Sequence, residues 1–314
     1  MKPALLMVAP IHSATQARLE SAYRVERWYD APDRDALLAQ VAPDVRVAVT
    51  SGGAGMKAAL IEKLPRLELI ACFGVGVDAI DLAAARARGI RVTNTPDVLT
   101  DDVADLALGL MLATVRRIVA ADRYVRERRW LEGPMPLTGR MKGTRLGIVG
   151  MGRIGQAIAQ RAAAFGMDIA YFGPRPKPVP WRYEGELVTL ARDSGVLVVA
   201  CPGGESTRHL IDRAVLDARG PTGILINIAR GSVVDEDALV DALVNRRIGG
   251  AGLDVFADEP RVPAALLAMD NVVLQPHQGS ATHATRGAMG QLVLDNVEAF
   301  FAGRPLPTPV IATH

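Results

Sequence analysis

Short runs of aliphatic and β-branched residues alternate along the chain with longer amphipathic segments rich in alanine. Helical spacing of apolar positions occurs between the first runs, notably at Pro32–Gln40 and Ile80–Arg88. Strands that alternate with helices are typical of βαβ units, in which helices cover a parallel sheet. The early apolar runs predict four buried strands: Ala4–Val8, Arg46–Val49, Leu69–Cys72 and Arg91–Thr93.

A second series of apolar runs starts near residue 145. Helices are predicted between these runs at Gln156–Phe165 and Asp235–Val244, and Asp235 stands where an N-cap is expected. The series predicts six further strands: Arg145–Val149, Asp168–Phe172, Leu197–Ala200, Ile224–Ile228, Ala251–Val255 and Val272–Leu274. Together the two series predict an α/β protein with two doubly wound, Rossmann-like domains, each built on a parallel sheet.

The domain limits follow from two helical stretches. A long one, from about Asp101 to Val119, separates the two series of strands. A final amphipathic stretch, Gly287–Phe301, is expected to cross back to the first domain. We therefore predict a discontinuous domain of residues 1–98 plus 288–314 and a continuous domain of residues 99–287. Four prolines within 174–180 predict that Gly173–Pro180 is an extended surface loop.

Composition narrows the class of protein. The 314 residues are 49% hydrophobic and 22% charged, which is typical of soluble globular proteins. No apolar run reaches the roughly 18 residues of a membrane span, and the N-terminal apolar run is too short for a signal peptide. Cys72 and Cys201 lack metal-type spacing, so we expect no metal site and a reducing, cytoplasmic location. A net charge of +2 with dispersed basic residues argues against a nucleic-acid partner.

One glycine-rich turn has the sequence context of a ligand-binding site. The predicted strand at 145–149 runs into Gly150, Gly152 and Gly155 with Gly-x-Gly-x-x-Gly spacing, and a helical pattern follows at once. In such a strand–turn–helix unit the glycines permit a tight turn and close approach of a pyrophosphate to the helix N-terminus. The alternative is an ordinary glycine-rich loop, which this context disfavours. The continuous domain is therefore predicted to bind a dinucleotide.

The next strand bears on the choice of cofactor. NAD enzymes usually place an acid at the end of this strand to hold the ribose 2′-hydroxyl. Here Asp168 stands at the start of the strand, and Arg175 follows its end. An arginine there can pair with a 2′-phosphate, although it can also be a plain surface residue. We therefore predict that NADPH is the preferred cofactor, with NADH as the alternative.

Three further side chains follow three predicted strands of the same domain: Arg230, Glu259 and His277. Ligands of open α/β sheets bind at the carboxyl ends of the strands. An arginine can hold a carboxylate, a histidine can transfer a proton, and a glutamate can orient that histidine. Each residue also has an ordinary structural interpretation, but their joint placement beside a dinucleotide turn predicts reduction of a 2-oxo acid.

At this point the chain resembles the D-isomer-specific 2-hydroxyacid dehydrogenases, and most closely their branch of glyoxylate/hydroxypyruvate and hydroxyphenylpyruvate reductases. The resemblance runs through most of the chain in family order. It also implies that the discontinuous domain binds substrate. The matching stretches are Gly74–Asp78, Asn94–Asp105, Val149–Gly155, Asn227–Gly231, Gly252–Phe256, Glu259–Pro260 and Gln275–His277.

The resemblance implies roles for particular residues. Arg230 would bind the substrate carboxylate together with the backbone of Val75 and Gly76, and His277 would be the acid/base paired with Glu259. Asp254 would hold the nicotinamide amide, and Cys201 and Pro202 would line the adenosine side. The full implied cofactor set is Gly150, Gly152, Arg153, Ile154, Gly155, Arg175, Cys201, Pro202, Thr207, Ile228, Ala229 and Asp254.

The resemblance also implies a homodimer joined through the cofactor domains, with Trp130 as the candidate to reach a partner's active site. Pro174 is a departure, because NADP-using relatives commonly carry arginine one or two places after the small residue at the strand end. Here Pro174 takes the first of these places and Arg175 the second. Two alternatives stay open: a dinucleotide-binding corepressor of the same fold, and an enzyme that oxidises formate. Glu259 disfavours the second alternative. The substrate can be glyoxylate, hydroxypyruvate, a sugar-derived 2-keto acid or an aryl pyruvate.

Overall fold

A computed structural model of the chain describes residues 2–310. The described residues separate into two units, one formed by residues 2–99 and 281–310 and the other by residues 100–280. Each unit has its own parallel sheet and its own buried apolar core. The first unit is therefore discontinuous in sequence, and the second is continuous.

The N-terminal part of the first unit alternates strands with short helices. Its sheet has the order β2-β1-β3-β4-β5, with all pairs parallel. Leu5, Leu6 and Met7 of the first strand are fully buried, as expected for a strand covered on both faces. The elements are β1 Ala4–Met7, α1 Ser13–Ala22, β2 Arg24–Arg27, α2 Arg34–Val41, β3 Val47–Ser51, α3 Ala58–Glu62, β4 Leu69–Phe73, α4 Leu82–Ala87 and β5 Arg91–Thr93.

The second unit holds the larger sheet. Its elements are α5 Thr100–Val115, α6 Ile118–Arg126, β6 Arg145–Val149, α7 Arg153–Ala164, β7 Asp168–Phe172, β8 Arg182–Tyr183, α8 Leu187–Asp193, β9 Val196–Val199, α9 Arg213–Arg219, β10 Ile224–Asn227, α10 Glu236–Val244, β11 Gly250–Leu253, α11 Ala264–Leu267 and β12 Val272–Leu274. The parallel sheet has the order β12-β11-β10-β9-β6-β7-β8. The strand order reverses beside β6, so the turn after β6 lies at the switch point where such folds bind ligands.

The last helix, α12 (His283–Phe301), belongs to the first unit, where it packs on β4 and α1. It begins after Thr282, whose hydroxyl accepts the N–H of Thr285. Gly290 lets α12 approach α1 closely, because a Cβ atom there would lie 1.8 Å from the Thr15 hydroxyl. The predicted limit at 287/288 falls inside this helix, whereas the two units separate after Ser280.

The predicted fold class, two Rossmann-like α/β domains with parallel sheets, is confirmed. The strands β2 and β8 were not predicted, since both lie at sheet edges and carry charged residues. The helix predicted from 101 to 119 is two helices, because Arg117 adopts a left-handed conformation with φ of 52°. Among residues 2–310, no helix combines the length and apolar character needed to cross a membrane.

A buried arginine holds the starts of two central strands of the second unit. The guanidinium of Arg219, which is 5% exposed, donates to the carbonyls of Ala191, Ser194, Gly195 and Ile224 at 2.5–2.9 Å. Burial lowers the pKa of Arg219 to about 10, so the side chain stays charged at neutral pH. These four bonds fix the entry to β9 and β10, and the carboxyl ends of those strands lead into the candidate site.

Candidate active site

Three adjacent strands of the second unit lead to the three side chains predicted to carry the chemistry. Arg230 follows β10, Glu259 follows β11, and His277 follows β12. The sheet order places β11 between β10 and β12. Because the strands are parallel, their carboxyl ends meet at one edge of the sheet. All three residues therefore lie in one unit and at one edge.

The structure brings Glu259 and His277 into direct contact. The Oε2 atom of Glu259 lies 2.7 Å from Nδ1 of His277. The other carboxylate oxygen, Oε1, accepts the N–H of Phe256 at 3.1 Å, which fixes the orientation of the carboxylate. The side chain of His277 is 41% exposed and that of Glu259 is 36% exposed. With Nδ1 bonded to the carboxylate, Nε2 is the ring atom that can exchange a proton with a ligand.

The charge state of Glu259 follows from its surroundings. Burial alone would raise the pKa of this carboxyl, but the hydrogen bond and charge of His277 oppose that effect. The N–H of Phe256 and the charge of Arg230 act in the same direction, so the pKa of Glu259 is lowered overall. Glu259 is therefore a carboxylate at neutral pH.

Arg230 stands on a backbone turn that other residues hold in place. The amide of Asn227, which is 1% exposed, donates to the carbonyl of Arg230 and accepts the N–H of Ala229, both at 3.0 Å. Nη1 of Arg230 donates to the carbonyl of Ala229 at 2.7 Å. A Cβ atom at Gly231 would lie 1.9 Å from the backbone of Phe256, so only glycine allows this turn to approach the segment before Glu259. The Arg230 and Glu259 segments are thus packed backbone to backbone.

Asp254 supports the histidine loop in this structure. It is 1% exposed, and its two carboxylate oxygens accept the N–H groups of Gln278 at 2.6 Å and Gly279 at 2.9 Å. Its carbonyl accepts the N–H of His277, whose backbone is left-handed with φ of 55°. Burial raises the pKa of Asp254 despite the two N–H donors. Its predicted contact with the nicotinamide amide stays a prediction, whereas its contacts with the backbone N–H groups of His277 and of the two residues after it are observed.

Sequence reasoning missed the supporting roles of two side chains, Asn227 and Glu236. Asn227 appeared only within a matching stretch, with no role assigned. Glu236 lies in the first turn of α10, and its Oε2 accepts the N–H of Ala257 at 3.0 Å. Both residues bond to backbone groups of the catalytic edge. A local sequence pattern does not reveal such bonds, although the position of Asn227 at the end of a buried strand was a signal.

The glycine turn after β6 has the features that a pyrophosphate site needs. Gly150 has φ of 101°, and a Cβ atom there would lie 2.6 Å from the backbone nitrogen of Cys201. A Cβ atom at Gly155 would lie 2.1 Å from the carbonyl oxygen of Gly150. Gly152, by contrast, has open space around its Cβ position, and α7 begins at once with Arg153 and Ile154. The residues present therefore fit a phosphate group that approaches the helix N-terminus.

The other residues predicted to contact the cofactor lie on the loops after β7, β9 and β10. The Thr207 hydroxyl donates to the carbonyl of Pro202 at 2.7 Å and braces the loop after β9. Burial raises the pKa of the Cys201 thiol to about 11, so this cysteine stays protonated at neutral pH. Ile228 and Ala229 are 8% and 7% exposed. Arg175 is exposed on the loop after β7.

Val75 and Gly76 lie on the first unit, in the loop that follows β4. The carbonyl of Val75 accepts the amide of Asn94 at 2.8 Å, and the carbonyl of Gly76 accepts the thiol of Cys72 at 3.6 Å. Both bonds use carbonyl groups, so neither involves the N–H groups of Val75 and Gly76. Their predicted contact with a substrate carboxylate stays a prediction. In the described part of the chain, no cluster of His, Cys, Asp and Glu side chains is arranged to hold a metal ion.

Comparisons with known proteins identify the family. The model of the D-isomer specific 2-hydroxyacid dehydrogenase NAD binding domain matches residues 108–279. The hydroxyphenylpyruvate reductase of Plectranthus scutellarioides is 50% identical over 98% of each chain. The glyoxylate/hydroxypyruvate reductase A of Arabidopsis thaliana is 49% identical over 98% of each chain. The crystal structure of an NADPH-dependent glyoxylate/hydroxypyruvate reductase from Sinorhizobium meliloti, in complex with NADP and malonate, is 42% identical and superposes with a TM-score of 0.91, covering 99% of this chain and 97% of that one.

The relatives named above are all reductases, so they give no support to the corepressor alternative. The predicted resemblance is confirmed over the full length of the chain. The second unit is a nicotinamide-dinucleotide-binding domain, and its sheet edge carries an arginine, a glutamate and a histidine. The chain belongs to the D-isomer-specific 2-hydroxyacid dehydrogenases and is an oxidoreductase that acts on CH–OH donors and their 2-oxo acid counterparts.

Proposed function

We propose that the chain reduces a small 2-oxo acid of the glyoxylate or hydroxypyruvate type to the D-2-hydroxy acid, with NADPH as its preferred cofactor. The observation that carries the proposal is the contact between Glu259 and His277 at 2.7 Å, at the sheet edge where Arg230 also follows a strand. The charge of Arg230 acts on Glu259, so a guanidinium, a carboxylate and an imidazole share one electrostatic environment.

The roles of the three side chains follow from their chemistry. The guanidinium of Arg230 binds the substrate carboxylate through paired N–H groups and polarises the adjacent carbonyl. Nδ1 of His277 is held by Glu259, so the protonated ring donates from Nε2 to the carbonyl oxygen as negative charge develops there. Glu259 keeps the imidazole oriented through its contact with Nδ1. The bound nicotinamide supplies the hydride for the carbonyl carbon.

The NADPH preference rests on charge after β7. Asp168 lies at the start of that strand and forms an ion pair with Arg145, whereas no acid follows the strand end before Glu184. Arg175 and Lys177 are exposed there, and within residues 2–310 neither side chain takes part in an ion pair. Unneutralised cations at this place attract a 2′-phosphate. The NADPH dependence named for the Sinorhizobium relative supports the same choice.

A panel of rates tests the proposed function. NADPH and NADH are each combined with glyoxylate, hydroxypyruvate, 2-ketogluconate and hydroxyphenylpyruvate, and cofactor oxidation is followed by absorbance. We expect the highest kcat/KM with glyoxylate or hydroxypyruvate, and a value about tenfold higher with NADPH than with NADH from one charge-assisted contact. Absence of oxidation with all four acids would refute the proposed activity. A higher kcat/KM with NADH would refute the cofactor preference alone.

We further propose that two copies associate through the second unit. Large apolar side chains are concentrated within residues 118–137 of that unit. Such a concentration is unusual for a surface that faces water only. Their exposures are Ile118 51%, Val119 44%, Val125 54%, Trp130 68%, Leu131 85% and Leu137 100%. The predicted approach of Trp130 to a partner's active site depends on this association.

Sedimentation equilibrium tests the association. We expect a species of twice the 33.4 kDa chain mass, and we expect Leu131→Asp to shift it to the mass of one chain, because a buried unpaired carboxylate is strongly destabilising. Leu267→Asp is the matched control, since Leu267 is 63% exposed outside residues 118–137. A single-chain mass for the unmodified protein at micromolar concentration contradicts the proposal.

A further inference from the structure

The loop that leaves β7 carries the two cations to which the NADPH preference was assigned. Residues 174–178 are exposed and form neither helix nor strand. The other three of these five residues, besides Arg175 and Lys177, are prolines at positions 174, 176 and 178. Side-chain packing therefore offers the loop little support. An exposed arginine on a free loop loses conformational entropy when it binds a phosphate. Contacts that hold the loop in place before the ligand binds reduce this loss.

Tyr171 fixes the far end of the loop. It lies in β7 and is 1% exposed, and its hydroxyl oxygen accepts the backbone N–H of Lys177 at 2.7 Å. The carbonyl of Lys177 accepts the N–H of Val179 at 2.8 Å, which closes a tight bend directly after it. The ring of Tyr171 would pack equally well as phenylalanine. Its hydroxyl is thus used to hold the backbone six residues further along the chain.

Tyr183 fixes the near end of the loop. It lies in the two-residue edge strand β8, paired in register with Tyr171, and the two ring centroids are 5.4 Å apart. Its hydroxyl donates to the carbonyl of Gly173 at 3.0 Å. The preceding carbonyl, that of Phe172, accepts the N–H of Gly150 at 2.9 Å. The loop is therefore tied at one end to the first glycine of the dinucleotide turn.

We propose that Tyr171 and Tyr183 are positioning residues for cofactor choice, which hold the segment 173–177 so that Arg175 and Lys177 receive the 2′-phosphate of NADPH. The inference rests on the proposed NADPH preference. The two hydroxyls bond to the backbone at both ends of the segment and leave the two cationic side chains available to a ligand. Preorganisation of this kind raises affinity for the group that the loop binds and for no other part of the cofactor. NADH, which lacks the 2′-phosphate, does not benefit from it.

Binding measurements test the inference on the intact protein. Dissociation constants for NADPH and NADH are measured by fluorescence titration for the unmodified protein, Tyr171→Phe, Tyr183→Phe and Arg175→Ala. Loss of one hydrogen bond is expected to weaken NADPH binding by about three- to tenfold in each tyrosine variant, with NADH binding changed by less than about twofold. The phosphate probe 2′,5′-ADP should lose affinity in parallel with NADPH, whereas 5′-AMP should not.

Tyr29→Phe is the matched control, because the Tyr29 hydroxyl is also hydrogen bonded but lies in the first unit, where it contacts Gln16. We expect it to leave both dissociation constants unchanged. Equal weakening of NADPH and NADH in both tyrosine variants, or no change in either, would overturn the inference. If Tyr171→Phe does not fold, Tyr183→Phe alone decides between these outcomes, since Tyr183 is only partly buried.

The outcomes separate this inference from the proposal on which it rests. If the unmodified protein prefers NADPH and Arg175→Ala loses the preference while both tyrosine variants keep it, only the inference is overturned. If the unmodified protein binds both cofactors equally, the NADPH preference and the inference are refuted together. A selective loss in the tyrosine variants that matches the loss in Arg175→Ala supports both.

Discussion

Replacement of His277 by asparagine is expected to lower kcat for 2-oxo acid reduction by about 10²- to 10⁴-fold, the usual contribution of a positioned general acid. Asparagine is the better test than alanine, because the backbone of His277 is left-handed with φ of 55° and asparagine tolerates that conformation. His277 lies at the sheet edge, not in the glycine turn, so the dissociation constant for NADPH should change little. Steady-state kinetics and fluorescence titration give the two quantities.

Glu259→Gln is the companion variant, and it probes the charge of the pair. Glutamine keeps an acceptor for the N–H at Nδ1 but removes the negative charge beside the ring. The protonated ring then loses a charge-assisted hydrogen bond, so kcat for reduction should fall by about tenfold, while the dissociation constant for NADPH should change little. A His277→Asn variant as active as the unmodified protein, or a Glu259→Gln variant with an unchanged kcat, would contradict these roles.

Arg230, Glu259 and His277 could be found from the sequence because of where they lie in the sheet. Each follows an apolar run that was predicted as a strand, and parallel strands end at one edge. No three-dimensional information beyond strand direction was needed to expect Arg230, Glu259 and His277 close together. The glycine turn was equally accessible, since its spacing and its strand–helix context are both local.

What the sequence did not reveal depends on contacts between distant segments. Asp254 and Glu236 bond to backbone N–H groups 21 to 25 positions away, at Gln278, Gly279 and Ala257. Their residue types fit several roles, and no spacing rule selects one. The same applies to Tyr171 and its edge-strand neighbour, because a strand of two residues after a proline-rich segment has no detectable periodicity.

The missed edge strand β2 has a different cause. Its sequence, Arg24 to Arg27, places charged residues at three of four positions, whereas the predicted strands are continuous apolar runs. Such runs are typical of central strands that are buried on both faces. An edge strand needs only one partner, which here is β1, and charged side chains protect its open side from further pairing. The central strands of each sheet were therefore predicted better than the edge strands.

Replacement of Arg230 by glutamine is the second change for which we expect a large effect. The guanidinium is proposed to form two charge-assisted hydrogen bonds to the substrate carboxylate, each contributing about 1.5–3 kcal/mol. Their loss should lower kcat/KM by about 10²- to 10⁴-fold. Arg230→Lys keeps the charge but not the planar fork, so it should recover only part of the loss. Steady-state kinetics with glyoxylate or hydroxypyruvate measure both variants.

Two observations allow the loss to be assigned to the substrate. Arg230 is the weakest of the influences that lower the pKa of Glu259, and the bond to His277 stays without it, so the proton donor should remain intact in Arg230→Gln. Arg192→Gln is the control, since Arg192 is an exposed arginine of the same unit that pairs with Asp193. A loss as large in that control, or an unchanged kcat/KM in Arg230→Gln, would remove Arg230 from the site. A changed pH profile in Arg230→Gln would instead mean that it acts through the Glu259–His277 pair and not on the carboxylate.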